Sequence, residues 1–246
     1  MKKDKPPKSG YNFKAGEALL INKPKGWTSF DVVNKLRYQL KHSLQVKKIK
    51  VGHAGTLDPM ATGLLIICTG KFTKKIDEYQ HLPKVYTGTI VLGGTTPSYD
   101  TETEVDDTFP TDHINEELIE QARQQFLGPI KQIPPMFSAI KIDGQPLYKK
   151  ARKGIKMEVK ARDIHIYEVN WQAIRMPELD FEMKCSKGTY VRSFAHDFGK
   201  AVRSGAYLSA LCRTQIGEYH LDDAWELDQL VAYIKENITP LTSPDA

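Results

Sequence analysis

Residues 52–63 read Gly-His-Ala-Gly-Thr-Leu-Asp-Pro-Met-Ala-Thr-Gly: one histidine, one carboxylate, three glycines and a proline, with no lysine or arginine. Glycine at this density lets backbone approach a ligand closely and adopt positive φ. Pro59 locks its own φ and biases Asp58 toward extended backbone. The product is a single carboxylate on a stiff, narrow loop. Such a group can serve as a nucleophile or steady a developing positive charge. An Asp-Pro pair by itself reads as a turn, but a turn does not require this whole ordered string.

The surrounding pattern supplies the elements that must hold the loop. Ala18 to Ile21 reads as a strand, and Thr28-x-x-Asp31 as a capping box. Val33, Leu36 and Leu40 then recur at helical spacing, and Leu64 to Cys68 reads as a buried strand. A short helix is expected within Lys71–Leu82, and a strand over Val85–Leu92 that ends at Gly93-Gly94-Thr95-Thr96-Pro97. The stretch Glu117–Leu127 reads as a helix closed by Gly128-Pro129. Ser138 to Ile142 suggests a strand with a turn at Asp143-Gly144, and Leu147–Lys153 a short basic helix. Two strands follow, Ile164–Ile174 and Leu179–Cys185. A helix from about Arg192 carries Phe194, Phe198 and Val202 on one face, before a strand over Tyr207–Gly217 and a helix over Leu227–Ile234. Strand runs with scattered helices indicate an α+β fold rather than regular βαβ alternation.

Composition narrows the class. The 246 residues suit one large domain or two small ones. We expect a basic, disordered tail over 1–16, a single catalytic domain over 17–236 and a flexible end over 237–246. No apolar run nears the roughly 18 residues that span a membrane, and the basic N-terminus lacks the apolar core of a secretory signal. Cys68, Cys185 and Cys212 are isolated, which argues against a disulfide framework or a zinc site and fits a reducing cytoplasm. Net charge is +5. Between Lys35 and Lys50 stand six Lys or Arg and no acid. A second basic stretch runs from Lys149 to Arg162, interrupted only by Glu158. Segregated basic segments suggest a face for a polyanion.

The string around Asp58 matches every fixed position of G-H-x-G-x-L-D-P-x-A-T-G, and four more segments accompany it in order. They are Lys23-Pro24-Lys25-Gly26-Trp27-Thr28-Ser29, Lys84-Val85-Tyr86, Ile133 to Lys141, and Cys185-Ser186-Lys187-Gly188-Thr189-Tyr190-Val191-Arg192. Together they resemble the TruB family of tRNA pseudouridine synthases, from about Ala18 to Leu227. The resemblance implies the pseudouridine synthase fold: a long, bent, mostly antiparallel mixed sheet with flanking helices and a central cleft. It implies isomerisation of the T-loop uridine (position 55 in tRNA numbering), with no cofactor and no metal. The N1–C1′ bond breaks, the base rotates, and C5 rejoins C1′. Attack by the carboxylate at C1′, attack at C6, and a glycal route begun by loss of the C2′ proton all fit the residues.

By the same resemblance Asp58 is the essential carboxylate. Tyr86 stacks on uracil and aids proton transfer, and Arg192 pairs with the catalytic aspartate. His53 fills the space left by the flipped base, and Leu211 lies against the target base. Tyr190 and Arg192, two residues apart, would share a side if the backbone is extended. Lys23 and the two basic stretches would contact phosphates. Family members often read T-D-T-x-D after the Tyr86 strand; here Pro97 replaces the first aspartate and Asp100 is kept, as a second partner for Arg192. Roughly 20 residues follow Leu227, too few for a domain, so the expectation is a short form without the C-terminal PUA module. Expected partners are the T-loop and T-arm of tRNA, with no membrane and no obligate protein partner, the chain acting as a monomer in the cytoplasm. Two other classes fit parts of the pattern: a non-catalytic tRNA-binding or tRNA-folding protein on the same scaffold, and a hydrolase using Asp58 and His53. Against a silent binder, binding alone needs no carboxylate facing a polyanion.

Overall fold

The computed structural model describes residues 10–142, 144–155 and 157–238. Most of the tails expected at either end therefore lies outside the described residues, as do Asp143 of the expected turn and Lys156 of the second basic stretch. In chain order the elements are β1 (Ala18–Lys23), α1 (Ser29–Ser43), β2 (Val51–His53), β3 (Thr62–Thr69), α2 (Ile76–His81) and β4 (Lys84–Leu92). Next come β5 (Gly94–Thr95), β6 (Asp107–Thr108), α3 (Glu116–Gln124), β7 (Gly128–Gln132), β8 (Lys141–Ile142), β9 (Gln145–Pro146) and α4 (Leu147–Ala151). The chain closes with β10 (Arg162–Arg175), β11 (Glu178–Cys185), α5 (Val191–Ala201), β12 (Ala206–Ile216), β13 (Tyr219–His220), β14 (Trp225–Glu226) and α6 (Leu227–Asn237). No described helix is long and apolar enough to cross a membrane.

These elements group into two compact units: residues 1–80 with 219–246, and residues 81–218. The reading of 17–236 as one domain drew no such division, because no shift in composition marks either crossing. In the first unit β1 runs antiparallel to β3, with Ile21 opposite Leu65, and parallel to β14, with Ile21 opposite Trp225. β2 also pairs β3, with His53 opposite Ile67. Alternate residues of β1 are buried. The apolar stripe of α1 (Val32, Val33, Leu36, Leu40) and Leu227, Leu230 and Ile234 of α6 close over Leu19, Ile21, Leu65 and Ile67. Residues 10–16 do not behave as a tail. Phe13 is buried in this core, and Tyr11 stacks on it at 5.3 Å.

In the second unit the strand order β12-β4-β11-β10-β7 is antiparallel throughout. Gly128-Pro129 does not simply stop α3: it opens β7 at the end of this order, and a strand with one free edge tolerates proline's missing N–H. Phe194 and Phe198 of α5 join Phe181, Phe126 and Trp171 in an aromatic cluster with centroids 5.2 to 6.2 Å apart. Gly88 makes that packing possible, since a Cβ there would stand 2.6 Å from the Ala210 carbonyl and 2.9 Å from the Phe181 ring.

Candidate active site

The Asp58 loop is held by the start of α1. The capping box forms as its spacing predicts: Thr28 Oγ1 accepts from the Asp31 amide at 3.0 Å, and the Asp31 carboxylate accepts from the Thr28 amide at 2.9 Å. The next residue, Ser29, is buried and reaches into the loop. Its Oγ accepts from the Leu57 amide at 2.8 Å and donates to the Leu57 carbonyl at 3.1 Å. On the other side of Asp58, the Gly26 amide donates to the Pro59 carbonyl at 2.8 Å. Gly26 sits at φ +84°, which a side chain would resist. Leu57 and Ala61 are buried, while Asp58 is half-buried between them. Both neighbours of the carboxylate are thus tied to residues 26–29, which makes its position a property of the fold rather than of a free loop.

Lys23 lies in the same region but does not face outward. It is fully buried, and its ammonium donates to the carbonyls of Pro24 at 3.0 Å and Trp27 at 2.6 Å. A turn whose carbonyls converge on it satisfies the cation internally. The expected phosphate contact is therefore replaced by a structural role: holding the turn that carries Gly26. His53 is half-buried on β2.

The remaining candidates belong to the second unit. Tyr86, 8% exposed, stands on β4 between Met183 of β11 and Arg213 of β12. Leu211 lies opposite Gly88, so Tyr86 and Leu211 share one face of the sheet. Irregularities at Leu208/Ala210 and Arg213/Gln215 bracket this stretch of β12. Two buried cations beside Tyr86 were given no role from sequence, although Lys84 stands in one of the motif segments. Arg213 is 2% exposed, and Lys84 is 6% exposed with its ammonium on the Leu82 carbonyl at 2.6 Å. Burial, and then the nearby Arg213, push the Lys84 ammonium down to about 8.

Tyr190 and Arg192 do not share an extended segment. Tyr190 caps α5 and Arg192 is its second residue. The Gln132 side chain clamps the cap, its amide donating to the Tyr190 carbonyl at 3.0 Å and its oxygen accepting from the Tyr190 amide at 2.8 Å. Ser193 Oγ donates to the Ile133 carbonyl at 2.8 Å. The segment beginning at Ile133 thereby fastens the start of the helix that carries Arg192.

Arg192 is buried. It donates to the Ser98 carbonyl at 3.0 Å and to the Phe137 carbonyl at 2.9 Å, and its Nε stands 3.5 Å from Asp100 Oδ2. The juxtaposition of Asp100 with Arg192 expected from the retained aspartate is present. Asp100 also accepts from Ser98 Oγ at 2.6 Å and from the Glu102 amide at 2.9 Å. Tyr99, at φ +65°, stacks on His196 with ring centroids 3.8 Å apart. Arg192 and His196 are one helical turn apart, so α5 grips the Ser98–Asp100 turn at two points. Burial lowers the His196 imidazole to about 4 and keeps it neutral near pH 7. His196 and Gln132 were not singled out from sequence. The i, i+4 spacing of Arg192 and His196 was the available signal for the first, and nothing local marks the second.

Comparison with known proteins places this architecture. The model of the TruB family pseudouridylate synthase N-terminal domain matches residues 41–191, a span that holds His53, Asp58, Tyr86, Asp100 and Tyr190. The tRNA pseudouridine synthase B of Flavobacterium johnsoniae is 57% identical over 213 residues, covering 86% of this chain and 93% of that protein. Its counterpart in Phocaeicola vulgatus is 52% identical over 225 residues, covering 92% of this chain and 96% of that protein. Among solved structures, a chain of the Cbf5-Nop10-Gar1 complex superposes with a TM-score of 0.68 at 27% identity. The match takes in 90% of this chain and spans 55% of that one.

Proposed function

The chain belongs to the TruB family of pseudouridine synthases, and from that premise we propose that it converts the T-loop uridine of tRNA, position 55, to pseudouridine with Asp58 as the essential carboxylate. Isomerisation of a tRNA uridine is the reaction of the relatives it matches along most of their length. The observation that carries the reading further is the Asp58 loop, a half-buried carboxylate whose two neighbours are both pinned to residues 26–29.

The chemistry asks for little beyond what this chain offers. Breaking N1–C1′ and forming C5–C1′ exchanges one bond for another. The proton lost from C5 balances the one gained at N1, so no electrons leave the substrate. The Asp58 side chain serves each of the three routes: covalent attack at C1′, covalent attack at C6, or support of a glycal. A uridine stacked within a loop must leave the stack before C1′ or C6 can be reached. Tyr86 and Leu211, on one sheet face, supply a ring and an apolar surface for the extruded base. His53 occupies the space the base vacates. Arg192, fixed by Asp100 and two carbonyls, contributes a cation whose position does not wander.

The test is pseudouridine content of unmodified elongator tRNA after incubation with the wild type and with Asp58→Ala. We expect conversion at the T-loop uridine by the wild type, and a loss of at least about 10³-fold in the variant. Conversion by Asp58→Ala at the wild-type rate, or no conversion by either protein while tRNA still binds, would sink the assignment.

A further inference from the structure

A groove of about 570 Å³ lies in the first unit where α1, β2 and the segment Thr73–Ile76 meet. Arg37, Lys41, Lys47, Lys48 and Lys50 line it, and no acidic residue does. The end of α1 explains how five cations reach one groove. Leu44 caps the helix, and Gln45 takes the left-handed conformation at φ +49°. The Val46 amide then donates to the Lys41 carbonyl and the Gln45 amide to the His42 carbonyl, each at 3.2 Å. This is a Schellman turn with glutamine in the position glycine usually takes. It sends the chain back along the helix, so Lys47, Lys48 and Lys50 run beside Arg37 and Lys41.

The groove's walls are built. Ile49 and Val51 are each 7% exposed and turn inward, leaving Lys48 and Lys50 outside. The Lys50 carbonyl accepts from the Gly70 amide at 2.9 Å. Arg37 is held by bonds to the Val51 carbonyl and the Asn34 side chain, both at 2.9 Å, with the exposed Phe30 ring 5.8 Å away. Gly52 keeps one wall open, since a Cβ there would stand 2.8 Å from Ile76 Cδ1. Lys41, Lys47, Lys48 and Lys50 are exposed, and among the described residues no carboxylate lies within 4.0 Å of any of their ammonium groups. Four uncompensated ammonium groups and a fixed guanidinium concentrate positive potential on one concave surface.

We propose that this groove binds the phosphodiester backbone of the RNA substrate, at phosphates other than those of the reacting nucleotide. The proposal rests on the tRNA reading above and gives the polyanion face a location. Of residues 52–63 only Gly52 lines the groove, and neither Asp58 nor His53 does. Its contribution is therefore affinity and register rather than chemistry. Exposed ammonium groups around a fixed guanidinium suit successive phosphates along a strand, and the exposed Phe30 ring at the Arg37 end offers a surface for a sugar or base.

The experiment measures affinity for unmodified tRNA across a series of potassium chloride concentrations. It compares the wild type, Lys47→Gln/Lys48→Gln, and a charge-matched control, Lys14→Gln/Lys235→Gln. Each neutralised phosphate contact is worth roughly 0.7–0.9 in the slope of log K against log salt. The groove variant should therefore lose about 1.4–1.8 of that slope and the control less than half as much. Equal slopes for the two variants would overturn the proposal. So would inorganic phosphate that, at constant ionic strength, displaces tRNA from the wild type but not from the groove variant, since that marks a site for free phosphate. A wild type that binds tRNA with the expected slope yet makes no pseudouridine would refute the catalytic reading and leave the groove standing.

Discussion

Arg192 stands at the second position of α5, where the helix end carries partial positive charge and disfavours a cation. It is nonetheless buried, so its surroundings must outweigh both that repulsion and desolvation. Asp100 and the carbonyls of Ser98 and Phe137 do so together, because a planar guanidinium can donate to two carbonyls in fixed directions while its charge faces the carboxylate. An ammonium cannot. Arg192→Lys should keep the charge and leave at least one buried carbonyl unmet, at a cost of roughly 1–3 kcal/mol. Arg192→Met should cost about 3–5 kcal/mol, because it removes a cation from beside the buried Asp100 carboxylate. Urea midpoints followed by circular dichroism check both, and a midpoint for Arg192→Lys equal to wild type would show that the fork geometry is immaterial. The approach of Asp100 to Arg192 was legible in sequence, because one aspartate survives where its neighbour became Pro97. Lys23 was misread for a physical reason: lysine is ordinarily a surface group, and only the turn formed by its own neighbours, Pro24 and Trp27, turns its ammonium inward.

At the scale of elements, the boundary between residues 26–29 and the Asp58 loop is the joint most exposed to test. Ser29 uses one hydroxyl as both acceptor and donor to Leu57, so a single atom fixes the backbone one residue before the carboxylate. Ser29→Ala should leave a buried amide and carbonyl short of a partner, lowering stability by about 1–3 kcal/mol. Loosened positioning should also reduce the single-turnover rate by roughly 10–100-fold, with tRNA affinity within about twofold of wild type because no phosphate-binding cation is lost. Rate and affinity measured side by side decide it; a fall in affinity with an unchanged rate would mean that Ser29 serves binding instead. The capping box beside it was plain from Thr28-x-x-Asp31, since local spacing alone specifies it. The Schellman turn after α1 was not, because Gln45 stands where glycine would have signalled it. Nor was β7, whose Gly128-Pro129 opening resembles a helix stop until β10 supplies its partner. Local chemistry announces its own geometry, whereas pairing decided by a distant strand does not.

At the scale of the whole chain, the first unit is discontinuous: the segment from Tyr219 returns to join the one that ends at Gln80, and β14 and α6 complete a core begun by β1 and α1. No sequence window holds both halves, which is why the α+β class was readable and the division was not. The cysteines offer a separate reporter for each unit. Cys68 lies on β3 of the first, fully buried, and burial pushes its thiol up to about 11. Cys185 lies on β11 of the second, also fully buried, and burial drives its thiol up to about 12. Only the thiolate attacks an alkylating agent, so a buried thiol with a raised pKa is doubly protected. Cys212 is partly exposed. Iodoacetamide at pH 8, followed by peptide mass spectrometry, should label Cys212 alone in the native protein. With increasing urea, Cys68 should become reactive as the β1–β3 strand pairing opens and Cys185 as the sheet around β11 does. Labelling of Cys68 or Cys185 at the Cys212 rate without denaturant would mean that the corresponding core is open in solution. If both stay protected until urea is added, the core that positions the Asp58 loop and the sheet that carries Tyr86 are each closed under the conditions in which activity is measured.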